Sequence, residues 1–437
     1  MLDTKTKIAK ERAIRLIPGG AHTYSKGDDQ FPLCAPSFIE SGLGAWVWDS
    51  DGNKFLDWGM GLRSVSLGHA YEPVLDSIRV ELVKGVNFTR PSLIEGALAE
   101  LLVDLIPSAE MVKFAKNGSD VTTAAIKLSR AATGREIVIR CRDQPFFSVD
   151  DWFIGNTAMD AGVPNALKEL TTNFRFNDDA GLEALLRDIG DKVACIILEP
   201  AFTEAPKKGF LEKVRFLADK HGAVLVFDEI ITGFRWHISG AQSFYNVTPD
   251  LSTFGKAMGN GFSVAALAGR REIMELAGIN HPHPRVFALS STNGAETHAL
   301  AAAIKTIEEL SKGNRIQDNW KIGQKLMSGF NDISEALGIS ERIAIRGVEV
   351  SPWLSFTQSD GVNVDQDLRT LFLQEMIHAG VLMPYISVST SHRDEELKFT
   401  LVAVERVLNK IAPLLKNNCF KNFIDGPIVK PVFRKFN

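Results

Sequence analysis

Cysteine is scarce in this chain. Four occur in 437 residues, Cys34, Cys141, Cys195 and Cys419, widely separated and without a C-x-x-C pair. No histidine stands at zinc-ligand spacing from any of them, so neither a disulfide framework nor a thiolate metal site is expected. Scattered reduced thiols suit a cytoplasmic protein. An excess of one charge is also missing. Lys and Arg number 49 against 53 Asp and Glu, and no long basic run occurs. Nucleic acid is therefore not an expected partner. No apolar stretch approaches the roughly 20 residues that a membrane-spanning helix needs. The amino terminus, MLDTKTKIAKERAIRLIPGG, is a charged amphipathic pattern without the apolar centre of a signal peptide. Neither a membrane partner nor an internal repeat is expected. What remains is a chain that is 45% hydrophobic, long enough for two or three domains with a large core.

The most informative stretch runs from 224 to 270. It opens with the apolar run Val224-Leu225-Val226-Phe227, which reads as a fully buried strand, and ends in two carboxylates, Asp228 and Glu229. In open α/β sheets, chemistry gathers at the carboxyl ends of strands. Further on, STFGKAMGNGF sets Lys256 among small and apolar residues, ahead of the glycine-rich Gly259-Asn260-Gly261. A lysine that must act as a nucleophilic amine needs desolvation or a nearby cation. A strand-end carboxylate suits a buried cationic ring nitrogen. Together the two fit a pyridoxal phosphate site, with Lys256 holding the cofactor as a Schiff base and Asp228 facing the pyridinium. Taken singly, Lys256 reads equally as a solvated strand end and Asp228 as a helix cap.

FDEIITGFR followed by STFGKAMGNGFSVAALAGR resembles the class III, fold type I, pyridoxal-phosphate aminotransferases, and within them the glutamate-1-semialdehyde aminomutase-like branch. The resemblance implies pyridoxal 5'-phosphate as cofactor. It also implies a large domain built on a mostly parallel seven-stranded sheet, with a smaller α+β domain made from both chain ends. We expect residues 1–65 to form the N-terminal part of the small domain, 66–325 the cofactor-binding domain and 326–437 the rest of the small domain. The implied reaction moves an amino group from an amino-acid donor to an aldehyde or ketone, in a homodimer with shared active sites. The alternative is an intramolecular aminomutase, which needs no external donor.

Taken in order, the chain predicts a helix over 4–16, ended by Pro18-Gly19-Gly20. In the family a basic residue after Pro-Gly-Gly contacts substrate, and the match here is Lys26, a lysine in place of an arginine. A solvated loop lysine is the other reading. Alternation over 38–57 predicts an antiparallel meander. Gly61-Leu62-Arg63 stands where the family has Ser-Trp-Gly; Arg63 suits an anionic or polyhydroxylated substrate, or else a structural ion pair. Helical spacing recurs over 72–84 and 92–105.

Asn117-Gly118-Ser119-Asp120 opens a helix expected to reach 133. Backbone N–H groups at such a start attract anions, and the family cradles the cofactor phosphate there, which assigns Gly118 and Ser119 to phosphate. An ordinary N-cap is the alternative. After a strand over 136–140 the family shows Tyr-His-Gly, with its aromatic on the pyridine ring. Here Phe146 or Phe147 supplies the aromatic plane, and the motif histidine is absent. Two core phenylalanines are the plain alternative. A strand over 193–198 ends in Glu199, which in the family lies near the cofactor and affects substrate scope. The alternation of strands and helices from 112 to 269 predicts a mostly parallel sheet. His281 and His283 lie in a proline-rich stretch without carboxylates, a surface loop rather than a metal site. Thr292 matches a family threonine that reaches the phosphate of the neighbouring subunit. A long helix is expected after Thr292, reaching about 311, and another over 320–337, then an α+β region closed by a helix over 394–411. The tail from 417 continues no pattern and is expected to pack on a partner subunit or to be mobile. The departures at Lys26, Arg63 and the missing Tyr-His-Gly point the acceptor toward a hydroxylated or anionic carbonyl compound, such as a sugar or sugar acid.

Overall fold

A computed structural model describes residues 4–417 and 419–436. In chain order the strands are β1 (Ile39–Leu43), β2 (Trp46–Asp49), β3 (Lys54–Asp57), β4 (Met111–Ala115), β5 (Ile137–Cys141), β6 (Thr171–Phe174), β7 (Val193–Leu198), β8 (Val224–Asp228), β9 (Leu251–Phe254), β10 (Ala265–Gly269), β11 (Ile343–Val348), β12 (Ser351–Phe356) and β13 (Val381–Leu382). They fall into two compact units. One takes the chain up to Arg63, Leu67–Tyr71 and everything from Gln317 onward; the other takes Ser64–Ser66 and Glu72–Ile316.

The second unit is the sheet unit. Its seven strands lie in the order β4-β10-β9-β8-β7-β5-β6. β6, β5, β7, β8 and β9 are parallel neighbours, and β10 runs against both β9 and β4. β7 (VACIIL) and β8 (VLVFD) are buried at every position, as a sheet covered on both faces requires. The helix Gly118–Thr133 buries Val121, Ala124, Ala125 and Leu128 at helical spacing and stops at Gly134, where φ is +67°. The helix Phe210–His221 buries Leu211, Val214, Leu217 and Ala218 in the same way. Each large apolar side chain so buried contributes about 1.5–3 kcal/mol. This is the expected α/β architecture.

The first unit holds the meander β1-β2-β3, which β13 extends by pairing in parallel with β3. Its core gathers Leu326, Phe330, Phe356, Phe372, Val404 and Leu408. Two helices differ from expectation. The one expected from 320 begins at Arg315, after Gly313 at φ +58°; its polar first turn gives little apolar period to read. The last helix, expected to stop near 411, runs Asp394–Lys416 through Pro413, because Leu414 and Leu415 still pack on the core. The described part of the tail packs on its own chain at several points. Phe420 is in the core, and the Val429 amide donates to Thr370 Oγ1 at 3.0 Å. The tail has no periodicity because it follows the surface of the helix Gln366–His378 through single contacts.

Candidate active site

The parallel strands put their carboxyl ends on one edge, through the pairs Arg140 with Ile197, Leu198 with Phe227 and Asp228 with Thr253. β4 points the same way as β9, since β10 opposes both. Along that edge come the turn Asn117-Gly118-Ser119 after β4, the loop 142–150 after β5, Glu199 after β7, Asp228 ending β8 and Lys256 just past β9. The sheet thus gathers Lys256, Asp228, Gly118, Ser119, Phe146, Phe147 and Glu199 at the place where α/β sheets bind ligands.

Asp228 is 4% exposed. Its Oδ1 accepts the Ile230 amide and the Thr253 hydroxyl, each at 3.0 Å. No hydrogen bond from the described residues reaches Oδ2. Burial pushes the carboxyl up to about 6, while the Ile230 N–H, the charge of Lys256 and the Thr253 hydroxyl pull it down. Lys256 begins a short 3-10 turn at φ +42°, in the left-handed region that costs a non-glycine residue free energy. The turn is pinned at its far end. Asn260, also left-handed, accepts the Ser66 amide at 2.9 Å, Ser66 Oγ donates to Ala257 O at 2.8 Å, and the Gly261 amide donates to Ser64 O at 2.9 Å.

Glu229, the other strand-end carboxylate, faces elsewhere. It is fully buried and accepts the Ala241 and Gln242 amides, the Gln242 side chain and the Thr232 hydroxyl. Burial raises its carboxyl too, against those four bonds. Its work is to hold the start of the helix Gly240–Phe244.

Asn117 caps the helix Gly118–Thr133 by accepting the Asp120 amide at 3.0 Å. Ser119 Oγ accepts the Val149 amide at 3.0 Å, which leaves its proton to donate. Thr122 donates to Phe147 O at 2.8 Å, so the loop after β5 lies over the first helical turn. That turn offers unpaired N–H groups and the positive end of the helix dipole. The two phenylalanines separate. Both meet Phe153 edge-on, but Phe147 is 2% exposed and Phe146 is 44% exposed.

Three contributors gave no sequence signal. Ile230 fills the space between two glycines: an added Cβ would lie 3.3 Å from its side chain at Gly118 and 3.0 Å at Gly255. Thr253 is one hydroxyl in a buried strand. Gln144, 1% exposed, grips the backbone of Glu199 with both ends of its amide, donating to Glu199 O at 2.6 Å and accepting the Glu199 amide at 2.8 Å. Thr253 shares its strand with a second hydroxyl, Ser252, and only the fold tells the two apart; the other two depend on distant partners.

Thr292 is exposed, and its carbonyl accepts Asn87 Nδ2 at 3.0 Å. The same segment is tied to the residue before Asn117 by the Lys116–Glu296 ion pair at 2.7 Å. Lys26 and Arg63 belong to the first unit. Lys26 is exposed at the end of the short turn Tyr24–Lys26. Arg63 closes a left-handed turn, with its guanidinium 5.6 Å from the centre of the Tyr385 ring.

Residues 24–384 match the family described as Aminotransferase class-III. The chain is 33% identical over 426 residues to a 3-aminobutyryl-CoA aminotransferase of Cloacimonas acidaminovorans, covering 94% of this chain and 99% of that one. It is 31% identical over 439 residues to a glutamate-1-semialdehyde 2,1-aminomutase of Syntrophobacter fumaroxidans, covering 95% and 99%. Among solved structures, the FumI protein of Sphingopyxis sp. MTA144 in its PLP internal aldimine form superposes with a TM-score of 0.86 at 25% identity, over 94% of this chain and 98% of that one. An omega-transaminase from Sphaerobacter thermophilus gives 0.83 at 25% identity, over 92% and 97%.

Proposed function

The chain belongs to the class-III aminotransferases, and from that premise we propose that it is a pyridoxal-phosphate enzyme moving an amino group from an amino-acid donor to an aldehyde or ketone. The observation that carries the reading is the meeting of Lys256 and Asp228 at adjoining strand ends. A buried carboxylate there feels the lysine's charge and keeps one oxygen open. The rest of the edge fits the cofactor. Gly118 has no Cβ where Ile230 comes close, and Ser119 has a hydroxyl proton to give.

When bound, pyridoxal phosphate draws electrons from the bond that breaks at the amine-bearing carbon. Lys256 would hold the cofactor through its Nζ, and the same Nζ, when free, would carry the proton that leaves the amine-bearing carbon. Asp228 would supply the negative charge facing the ring nitrogen of the bound cofactor. Gly118 and Ser119 bind the phosphate. Phe146 offers the ring face, since Phe147 is committed to the core. Thr292 reaches the phosphate of a second copy, so the working unit is a homodimer. Val83 and Leu93, 87% and 95% exposed, flank the Asn87 that holds Thr292 and suit that contact. Lys26, Arg63 and Glu199 are assigned to the acceptor by their match to the family positions alone, and their chemistry favours a hydroxylated or anionic carbonyl compound, such as a sugar or sugar acid. No helix among the described residues is long and apolar enough to cross a membrane. The buried thiols of Cys141 and Cys195, pushed up to about 12 by burial, fit a reducing cytoplasm.

A second reading, an intramolecular aminomutase, is favoured by the 31% identity to such an enzyme. Visible absorption of the purified protein tests both. A cofactor band that collapses with one amino acid and returns with a carbonyl compound establishes the aminotransferase. A band unmoved by every external donor, with turnover of a single aminoaldehyde, establishes the aminomutase. Full turnover by Lys256→Ala would sink both.

A further inference from the structure

Lys256 lies between two stretches of the sheet unit that are fixed for different reasons. Before it, β9 is held in the sheet, with Thr253 opposite Asp228 and Phe254 opposite Ala266. Only Gly255 separates that strand from the lysine. After it comes the short turn Lys256–Gly259. A φ of +42° at Lys256 is a conformation that an L-residue leaves unless its surroundings enforce it. The turn's own bonds restrain it weakly. The Met258 amide donates to Gly255 O at 3.0 Å, but the Asn260 amide reaches Ala257 O only at 3.5 Å.

The stronger hold comes from a distant part of the sequence. Residues Ser64–Ser66 belong to the sheet unit, although Arg63 before them and Leu67 after them do not. This short segment bonds to the turn three times. Ser66 Oγ donates at 2.8 Å to Ala257 O, the same carbonyl that the Asn260 amide barely reaches. The Ser66 amide donates to Asn260 Oδ1 at 2.9 Å, and the Gly261 amide donates to Ser64 O at 2.9 Å. Val65 fills the space beside Gly261, where φ is +93° and a Cβ would come within 3.3 Å of its side chain. Ser66 and Asn260 are 4% and 7% exposed, so water competes poorly for these bonds. Asn260 is itself left-handed, at φ +44°, which asparagine tolerates far better than lysine does. The clamp therefore closes on the residue after the lysine and on the turn's permissive end, and the strain falls on Lys256.

We propose that Ser66, acting with Asn260, is a positioning residue for Lys256: by holding the Ala257 carbonyl it keeps Lys256 left-handed, with its amine at the strand edge where Asp228 feels its charge. The inference rests on the reading that Lys256 bonds to the cofactor. Ser66 itself touches neither cofactor nor substrate in this role.

Two measurements on the full-length protein test it. The first needs no cofactor. In the cofactor-free chain, Lys256→Gly should have a higher urea midpoint than Lys256→Ala, because glycine alone is at ease with positive φ. Adding Ser66→Ala to both should close that gap, since the turn can then relax. A gap left at full size means that something else holds the lysine, and overturns the proposal. The second measurement follows the visible band that grows as Nζ bonds to the carbonyl carbon of pyridoxal phosphate with loss of water. Its rate of growth is expected to fall about tenfold in Ser66→Ala, and likewise in Asn260→Gly, which keeps the turn's permissive end but removes its acceptor. Affinity for pyridoxamine phosphate, which has an amine in place of the carbonyl and cannot bond to Lys256, should stay as in wild type. Equal loss of pyridoxamine phosphate affinity would make Ser66 a general structural residue, and a band that grows equally fast in wild type and Ser66→Ala would remove its role while leaving that of Lys256. A wild-type protein that forms no band at all would instead remove the Lys256 reading, and the positioning role with it.

Discussion

A buried carboxylate is badly placed for stability, and Asp228 gives a way to measure the cost. Its ordinary value of 3.8 rises to about 6 in the folded chain through burial. Between those values the folded state keeps a proton that the unfolded state has released. Stability is therefore full at the acid end, falls as pH rises through this window, and stays reduced above it, by ~2–3 kcal/mol. Asp228→Asn removes the charge but keeps the shape. Cofactor-free Asp228→Asn should melt above wild type at pH 8 and level with it near pH 4, while binding pyridoxal phosphate more weakly and losing nearly all turnover. Melting curves across that range decide it, and equal melting at pH 8 would mean that the carboxylate is not strained. Gln144 makes a separate prediction. Gln144→Leu strips two bonds from the buried Glu199 backbone and should cost about 2–4 kcal/mol, seen as a lowered denaturation midpoint with an unchanged slope.

At the scale of elements, the sheet was readable because its strands are continuous apolar runs closed by polar or small residues. VACIIL and VLVFD each allow one assignment, and the helix from Gly118 was marked at both ends by Asn117 and Gly134. Placing Asp228 and Lys256 near each other followed from two strand ends. What escaped the sequence depends on distant partners. Gln144 is an ordinary loop residue until the fold sets Glu199, 55 positions away, against it. β13 is too short to show a period and exists by pairing with β3. The left-handed turn is a third case: Met60, Gly61, Leu62 and Arg63 all have positive φ, between +44° and +66°, and only one of them is glycine. Each L-residue there costs roughly 1–2 kcal/mol, and nothing in MGLR announces it. The chain just before it is fixed by two tertiary bonds, the Trp58 amide to Leu382 O and the Ser387 amide to Trp58 O, and by one local bond, the Gly59 amide to the Asp57 carboxylate. Arg63→Gly should be more stable than Arg63→Ala by about 1 kcal/mol, reversing their usual order. Urea denaturation of the two variants is the measurement, and an Ala variant as stable as the Gly one would remove the strain.

At the scale of the whole molecule, the question is whether one chain makes a complete site. Thr292 lies on an exposed segment, beside a stretch whose Val83 and Leu93 are almost wholly solvent-facing. Exposed apolar side chains mark a contact surface where they adjoin, and singly they are ordinary. If Thr292 serves a second copy, Lys256→Ala and Thr292→Ala chains repair each other. In a mixed dimer one site takes its lysine from the Thr292→Ala chain and its threonine from the Lys256→Ala chain, so both are native; the other site collects both defects. Equal co-expression makes half the dimers mixed, with one good site in two, and should restore about a quarter of wild-type activity. If Thr292 serves its own chain, every site keeps a defect, and the mixture does no better than the Thr292→Ala chains it contains. The Lys116–Glu296 pair gives the first outcome a further consequence, because it ties the segment bearing Thr292 to the turn assigned to phosphate in the same chain. Filling one site should then steady the threonine offered to the other. Cofactor titration of the apo-dimer would show positive cooperativity in wild type, and Glu296→Gln should flatten it.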